Sequence, residues 1–422
     1  MNKNNSLSYL SDEDKKTLAG LEDKQSMMVA RTVEWAKINT GSWNRDGLMS
    51  LSKLIQSAIS ELDASVELVA LPPIKKIDSE GQPTEFNTGP VIHAQARSDA
   101  PVQIILTGHY DTVFPKGTFE DISDLGDGTL NGPGLADMKG GIVVMLEALK
   151  AFEGGPMKSR LGYRIILTPD EETGNFASAD YLGSAAKSAD IGLTFEPAME
   201  SGAMSGARKG SAIFDIIFRG RSSHAGRNPE DGRSAIMAAA SFCASVEALE
   251  NKKDGVTFNV GKIDGGGPNN IVPDLAVIRM GVRAPDNGAA DWAVQALTDI
   301  FNGVLQRDGI TGEMTGGFYR PPKPKNKAQR ALFEAAHKTG QALDLNLTFH
   351  DTGGVCEGNN VFAAGTPNID TLGVRGGRIH SSDEFVIVDS FTERAKLTAL
   401  LLNRFADGRI DAAHIKSLMK AP

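Results

Sequence analysis

The chain contains little cysteine and no long apolar segment. Its only cysteines are Cys243 and Cys356, too few for the disulfide framework that stabilises small secreted domains. The longest apolar stretches, such as residues 142–146, are far shorter than the roughly 20 residues that span a bilayer. Residues 1–21 lack a basic segment followed by an apolar run, the pattern of a secretory signal. We therefore expect a cytoplasmic protein with no membrane segment.

An excess of positive charge is also absent. The 44 Lys and Arg residues are outnumbered by 53 Asp and Glu residues, which gives a formal net charge of −9 at pH 7. An acidic surface repels phosphate backbones and anionic lipids, so nucleic acid and membranes are poor candidates for the main partner. The length of 422 residues predicts two or three domains, because domains usually hold roughly 100–200 residues. Small molecules and peptides remain as the expected partners.

Short apolar runs followed by polar residues indicate a sheet in the first half of the chain. Three of them are typical of strands: residues 102–106, 163–167 and 191–195. Because a helical pattern at residues 142–152 lies between two of these runs, we predict an α/β fold with a largely parallel sheet. Sites in such sheets lie at the carboxyl ends of the strands. Before the sheet, we predict one long helix over residues 11–38.

The pattern changes after residue 208. Strand-like and helical segments follow in the order β-α-β-β-α, at residues 212–218, 233–249, 257–263, 275–282 and 291–305. This order predicts an inserted α+β domain, ferredoxin-like in type. A proline-rich stretch at residues 320–324 is typical of a stiff connector. We therefore predict a main domain of residues 1–208 and 320–422 and an inserted domain of residues 209–319.

Metal-ligating residue types follow the predicted strands. Taken alone, each has a plain alternative, such as a hydrogen-bonded loop histidine, a helix cap or a solvated acidic run. Together they should converge at one sheet edge, where N and O ligands suit zinc. The candidates are His109, Asp111, Asp137, Glu171, Glu172, Glu196 and His380.

A different chemistry is also conceivable from the sequence. Cys356 follows His350 and Asp351 closely, and these are the residue types of a cysteine nucleophile and its base. However, nearness along the chain does not create the spatial arrangement that such a triad requires. The metal site is the preferred hypothesis.

Six ordered motifs resemble the co-catalytic zinc metallopeptidase family of glutamate carboxypeptidase, acetylornithine deacetylase and succinyl-diaminopimelate desuccinylase. The motifs lie at residues 108–115, 134–141, 171–174, 195–197, 223–226 and 270–273. The resemblance covers nearly the whole chain and is greatest to the glutamate carboxypeptidase branch. It implies a metal-dependent hydrolase that cleaves an amide bond next to a free carboxylate, in a small peptide or an N-acyl amino acid. The alternatives are an N-acyl-amino-acid deacylase or desuccinylase and, more remotely, a non-catalytic binding protein on the same fold.

The resemblance also implies residue roles around two Zn²⁺ ions, with Co²⁺ or Mn²⁺ as possible substitutes. His109 and Glu196 would hold one ion, Glu172 and His380 the other, and Asp137 would bridge them. Asp111 would support His109, and Glu171 would be the general base for a zinc-bridging hydroxide. The Asp137–Met138 peptide bond is expected to be cis.

In the inserted domain, the resemblance implies groups that contact substrate. His224 would stabilise the oxyanion, commonly from the partner subunit of a homodimer formed through this domain. Asn270 would be a neighbouring polar contact, and Arg283 would clamp a substrate carboxylate, a task that suits a bidentate guanidinium. Gly353 and Gly354 match a substrate loop. Hinges near residues 207–210 and 317–321 would let the two domains close over substrate.

Overall fold

A computed structural model describes residues 9–420. The helices in this range are α1 (Asp12–Ala19), α2 (Gln25–Ala36), α3 (Arg45–Ile59), α4 (Gly140–Glu153), α5 (Ala179–Ala186), α6 (Ala235–Glu247), α7 (Asn287–Leu305), α8 (Lys327–Gln341), α9 (Glu357–Ala363), α10 (Ser390–Ala406) and α11 (Ala412–Ser417). The strands are β1 (Ser65–Val69), β2 (Ile74–Ile77), β3 (Pro83–Phe86), β4 (Val91–Ala96), β5 (Val102–His109), β6 (Ser123–Asp124), β7 (Thr129–Asn131), β8 (Leu161–Thr168), β9 (Ile191–Thr194), β10 (Ala198–Met199), β11 (Met204–Arg208), β12 (Gly210–Arg219), β13 (Thr257–Gly265), β14 (Leu275–Ala284), β15 (Thr311–Arg320), β16 (Phe349–Thr352), β17 (Asn368–Ile369), β18 (Arg375–Gly377) and β19 (Phe385–Ile387).

The main sheet has six strands in the order β1-β4-β8-β5-β9-β17. Strands β8, β5, β9 and β17 run parallel to one another, whereas β4 is antiparallel to both of its neighbours, β8 and β1. The α/β class is confirmed, and the sheet is parallel only on the side of β17. A smaller sheet, ordered β10-β18-β19-β7-β6, lies beside it.

The central strands of the main sheet are apolar on both faces. Ile104 and Leu106 of β5 pack into the large core that α2, α4 and α10 cover, whereas Ile105 packs on the opposite face beneath α5 and α9. Burial on both faces explains why the sequence runs are continuously apolar rather than alternating. Polar residues are therefore confined to the strand ends.

Residues 210–320 form a second layered structure, called the inserted unit below, and the rest of the chain is called the main unit. The inserted unit has an antiparallel sheet in the order β13-β14-β12-β15, and α6 and α7 pack on one face of this sheet around a separate apolar core. The chain order β-α-β-β-α-β is that of a ferredoxin-like fold. On the other face, Arg219 and Arg279 donate to the carbonyl oxygens of Gly81 and Ile77 in the β2–β3 hairpin. The hairpin thus ties the two units together.

Two connectors join the units side by side. The backbone of Arg208 exchanges two hydrogen bonds with that of Lys323, at 2.9 and 3.0 Å. Both side chains then meet Asp370 just after β17: Arg208 Nε lies 2.8 Å and Lys323 Nζ 2.7 Å from Asp370 Oδ2. One buried carboxylate therefore holds both connectors between the main unit and the inserted unit.

The opening helix and the last strand of the inserted unit differ from the sequence prediction. The predicted helix over residues 11–38 is wrong as a single element, because the chain turns between α1 and α2, where Gly20 and Asp23 are poor helix formers and Leu21 is buried instead. Strand β15 was not predicted, since the three glycines and two threonines in residues 311–317 hide its alternation. Among the described residues, no helix is both long and apolar enough to cross a membrane.

Candidate metal centre

The carboxyl ends of three adjacent strands bring the candidate ligands together. His109 is the last residue of β5 and is paired with Thr168, the last residue of β8. Glu171 and Glu172 lie in a 3₁₀ turn just beyond β8, and Glu196 follows β9 on the other side of β5. Strand order alone therefore places the histidine between the two acidic segments.

Asp137 enters this cluster from a tight turn before α4. Gly134 has a left-handed backbone (φ 67°), and the Asp137–Met138 peptide bond is cis, as the resemblance implies. The backbone N–H groups of Ala136 and Asp137 donate to Glu384 Oε1 at 3.0 and 3.1 Å. Glu384, which the sequence analysis missed, therefore fixes the turn that carries Asp137. Its only sequence signal is its position four residues after His380.

Asp137 faces two histidines with its two oxygens. His109 Nε2 lies 3.1 Å from Asp137 Oδ1 and 3.7 Å from Glu196 Oε1. His380 Nε2 lies 3.2 Å from Asp137 Oδ2 and 3.2 Å from Glu172 Oε2. The side chains thus form two groups of candidate ligands that share Asp137, as a bridging carboxylate would require.

The side chains of the cluster differ in burial. The His109 side chain is 1% exposed, and those of Asp137 and Glu172 are 5% and 6% exposed. His380, on a loop with a left-handed backbone (φ 64°), is 52% exposed. A non-glycine residue in this conformation is uncommon and is often found at functional sites. The cluster is therefore open to solvent on the His380 side.

The cluster is short of positive charge. Burial raises the pKa of Glu171 to about 7, and burial together with the charge of Asp137 raises the pKa of Glu172 to about 8. Hydrogen bonds to Asp137 and Glu172 raise the pKa of His380 to about 11. Glu196 Oε1 is buried without a hydrogen-bond partner. Crowded carboxylates with an unpartnered oxygen and imidazole nitrogens are a donor set that fits divalent cations.

Asp111 organises the residues behind the ligands. Its Oδ1 lies 3.3 Å from His109 Nδ1, which orients the ring. It also accepts the backbone N–H groups of Glu171 and Glu172, at 3.1 and 3.2 Å, and the hydroxyl of Ser42 at 2.6 Å. One carboxylate therefore orients the His109 ring and holds the backbone of the turn that carries Glu171 and Glu172.

Arg320, also missed by the sequence analysis, contacts Glu171. Its Nη2 lies 2.7 Å from Glu171 Oε1, and both side chains are less than 10% exposed. Nη2 also donates to Asn175 Oδ1 at 2.8 Å. The sequence offered no signal for this contact, because Arg320 had been assigned to a connector.

Comparison with known proteins identifies the family. Residues 105–404 match the pattern of Peptidase family M20/M25/M40. The chain belongs to this family. It is therefore a hydrolytic enzyme of a metallopeptidase family, and the resemblance drawn from the six motifs is confirmed.

Relatives of this M20 chain include enzymes of both predicted types. It is 25% identical over 392 residues to carboxypeptidase G2 of Pseudomonas sp. strain RS-16, covering 92% of this chain and 91% of the relative. It is also 25% identical over 372 residues to succinyl-diaminopimelate desuccinylase of Hahella chejuensis, covering 80% and 94%. A solved structure of a dinuclear metal-binding M20 peptidase from Bacillus subtilis superposes with a TM-score of 0.62 at 16% identity, covering 91% and 98%. That likeness supports the fold.

The inserted-unit candidates of the M20 chain lie in two separate places, with Arg283 on β14 and His224 and Asn270 in the loops that follow β12 and β13. Arg283 on β14 donates to Ser211 Oγ on β12, and Ser211 in turn pairs with Arg320 on β15. Arg283 therefore lies near Arg320, which contacts Glu171. His224 and Asn270 are exposed neighbours, joined by the hydrogen bond from Ala225 N to Asn270 O at 2.8 Å. Among the described contacts, none joins His224 to the metal cluster.

The glycine loop and the cysteine lie beside the connectors. Gly353 and Gly354 are exposed, and Gly354 O accepts a hydrogen bond from Arg208 Nη1 at 3.2 Å. Cys356 is 1% exposed, and burial raises the pKa of its thiol well above the usual range. His350 Nε2 faces Thr348 Oγ1 at 3.2 Å. A buried, protonated thiol is a poor nucleophile, which disfavours the cysteine mechanism in this M20 chain.

Proposed function

We propose that the protein hydrolyses an amide bond next to a free carboxylate, as a glutamate carboxypeptidase does. The observation that carries this proposal is Asp137, whose two oxygens face two separate groups of N and O ligands. His109 and Glu196 would hold one divalent cation, and Glu172 and His380 the other. Two Zn²⁺ ions are proposed, with Co²⁺ or Mn²⁺ as substitutes that the same ligands accept. Bound there, the cations would supply an activated water molecule and polarise the scissile carbonyl.

Glu171 is proposed as the general base. Its Oε2 lies 4.0 Å from His109 Nε2, at the edge of the ligand cluster, whereas Oε1 is held by Arg320. A carboxylate whose pKa is raised to about 7 is matched to proton transfer near neutral pH. Glu171 would take a proton from the attacking water and deliver it to the leaving nitrogen. Asp111 keeps the turn in place through the two backbone N–H groups of the paired glutamates.

Arg283 is proposed to bind the substrate carboxylate. It makes no ion pair with any residue in the described part of the chain, and its guanidinium is half-buried beside Arg320. Burial and the neighbouring charge of Arg320 lower the pKa of Arg283, so an anionic group at this position would be favourable. Asn270, His224, Gly353 and Gly354 are proposed as further contacts made when the two units close over substrate.

A homodimer through the inserted unit is proposed as well. Strand β13 is an unpaired sheet edge, and Ile236, Met237, Ile263 and Ile271 are exposed on this unit. An open edge with exposed apolar side chains favours association with another chain. The second copy would bring its His224 to the cluster, which His224 of the same chain does not contact. Sedimentation that gives a monomer at working concentration would remove this role.

Substrate class is tested by parallel assays. N-acylated glutamates, dipeptides and N-succinyl or N-acetyl amino acids are compared at equal metal loading, measured by elemental analysis. The carboxypeptidase proposal expects the highest kcat/KM for acylated glutamates or dipeptides. A preference for N-succinyl or N-acetyl amino acids would instead favour the deacylase or desuccinylase alternative. The similarity to the desuccinylase of Hahella chejuensis is the observation that favours this alternative.

The paired glutamates are tested separately. Glu171→Gln should keep both cations and substrate affinity yet lose about 10²–10⁴-fold in kcat, because an amide cannot accept the water proton. Glu172→Gln should also lower metal content, because it removes a ligand. Near-normal kcat in Glu171→Gln with full metal content would show that another group moves the proton.

A further inference from the structure

Arg320 belongs to the inserted unit by sequence and to the metal centre by contact. It is the last residue of β15, paired with Ser211 of the same sheet. Its side chain nevertheless leaves this sheet and is buried against the paired-glutamate turn of the main unit. No other arginine among the described residues forms an ion pair with Glu171.

The guanidinium holds Glu171 at two points. Nη2 lies 2.7 Å from Glu171 Oε1 and also donates to the backbone carbonyl of Glu171. Nε and Nη2 both donate to Asn175 Oδ1, at 3.2 and 2.8 Å. Side chain and backbone of the same glutamate are thus bound by a planar group whose orientation is set by a third residue.

Asn175 is itself fixed. Its backbone is left-handed (φ 56°), and its N–H donates to Asp170 O at 2.8 Å. Its side-chain amide donates to Ser178 Oγ at 3.0 Å and to Thr168 Oγ1 at 3.3 Å. The residue is completely buried. Arg320 is therefore anchored to a buried, fully hydrogen-bonded residue beyond the end of β8.

Glu171 could also bind a cation, and the contact with Arg320 prevents it from doing so through both oxygens. One oxygen of Glu171 lies close enough to ligand atoms of His109 and Glu196 for these three residues to bind a cation together, all within 4.8 Å of one another. A glutamate that bound the cation through both oxygens would have no free oxygen for a proton. Because Arg320 occupies Oε1, only Oε2 faces the cluster.

We propose that Arg320 is a positioning residue that reserves Glu171 for proton transfer by holding Oε1 away from the metal ligands. This inference rests on the proposed role of Glu171 as the base. It also means that the inserted unit contributes to the chemistry through its last strand, independently of substrate contacts such as Arg283.

The experiment measures kcat, KM and metal content for Arg320→Met, Arg320→Lys, Glu171→Gln and the double variant Arg320→Met with Glu171→Gln. Arg320→Met should lose about 10-fold or more in kcat with KM nearly unchanged, because orientation of the base is lost while substrate contacts remain. Arg320→Lys should recover part of kcat, since an ammonium can reach one oxygen but cannot form the planar fork. In the Glu171→Gln background, Arg320→Met should add less than about 2-fold, because both changes act on the same step.

Arg394→Met is the matched control. Arg394 is also fully buried, where it pairs with Glu393 at 3.1 Å and donates to Gly202 O at 3.0 Å, away from the ligand cluster. This control should lower stability but leave kcat of the folded, metal-loaded protein unchanged. If Arg320→Met does not fold by circular dichroism, Arg320→Lys alone carries the same comparison.

Three results would overturn the proposal. They are an unchanged kcat, an equal loss of kcat in the Glu171→Gln background, or a rise in KM alone, which would assign Arg320 to substrate binding. The failure of the base assignment is distinguishable from these, because it appears as normal turnover in Glu171→Gln alone and then removes the role of Arg320 as well.

Discussion

Asp370 should be the most costly single charge to remove outside the metal centre. Its Oδ2 lies 2.8 Å from Arg208 Nε and 2.7 Å from Lys323 Nζ, and the side chains of Asp370 and Lys323 have no exposed area. Its Oδ1 has no hydrogen-bond partner. Asp370→Asn can therefore keep the accepting oxygen towards both cations and place the amide nitrogen where Oδ1 was. The substitution isolates the loss of charge from the loss of hydrogen bonds.

The expected loss in the free energy of unfolding is about 3–5 kcal/mol, because two buried cations lose their only shared counter-charge. The matched control is Asp351→Asn on β16, the strand that pairs with β11 and its Arg208. Asp351 pairs with Lys325 at 2.8 Å, but its side chain is 54% exposed. Exposed pairs contribute only about 0–1 kcal/mol.

Urea unfolding followed by far-ultraviolet circular dichroism compares the two variants with the parent protein at pH 7. A loss below about 1 kcal/mol for Asp370→Asn, or a loss equal to that of Asp351→Asn, would contradict the reasoning that buried charge fixes the connectors. A large loss for Asp370→Asn alone would agree with it.

Two further predictions concern packing and acid stability. In Gly141→Ala, the new Cβ would lie 2.1 Å from Phe195 O, so α4 must shift. We expect the free energy of unfolding to fall by about 1–3 kcal/mol and the metal content to fall with it. The control Gly183→Ala in α5, where no atom lies within 4 Å of the new Cβ, should be neutral or slightly stabilising. Burial opposes ionisation of Asp14, yet its two hydrogen bonds with Arg409, at 2.7 and 2.8 Å, hold the pKa below its usual value. A carboxylate whose pKa is lowered on folding stabilises the fold above about pH 4, and this stabilisation is lost as the pH falls through the folded-state pKa. Asp14→Asn should therefore make the free energy of unfolding fall less steeply between pH 7 and pH 3, as measured by urea unfolding.

The sequence predicts the elements of the main sheet and the residues at their ends better than it predicts what supports them. The strands that end at His109 and before Glu171 are apolar runs with polar ends, and a parallel sheet gathers such ends at one edge. The proposed bridging role of Asp137 comes from the family resemblance rather than from spacing. Those parts of the site depend on local patterns that a single sequence contains.

The supporting residues depend on long-range contacts that leave no local pattern. Arg320 reaches Glu171 across 149 positions, and Glu384 reaches the Asp137 turn across 247. A buried arginine in a proline-rich connector looks like a surface residue until the fold is known. Strand β15 was missed for a related reason, since its glycines and threonines are paired by β12 rather than selected by an apolar alternation.

The position of the inserted unit within the chain has a consequence for synthesis of the protein. His109, Asp137 and Glu196 precede the insertion, whereas His380 follows it and the return crossing at Lys323. Under the proposed ligand assignment, a ribosome-bound chain that has completed the insertion would carry all of one ligand group and only part of the other. On the same assignment, hydrolytic activity is expected only after the segment carrying His380 has been synthesised and docked against Asp137.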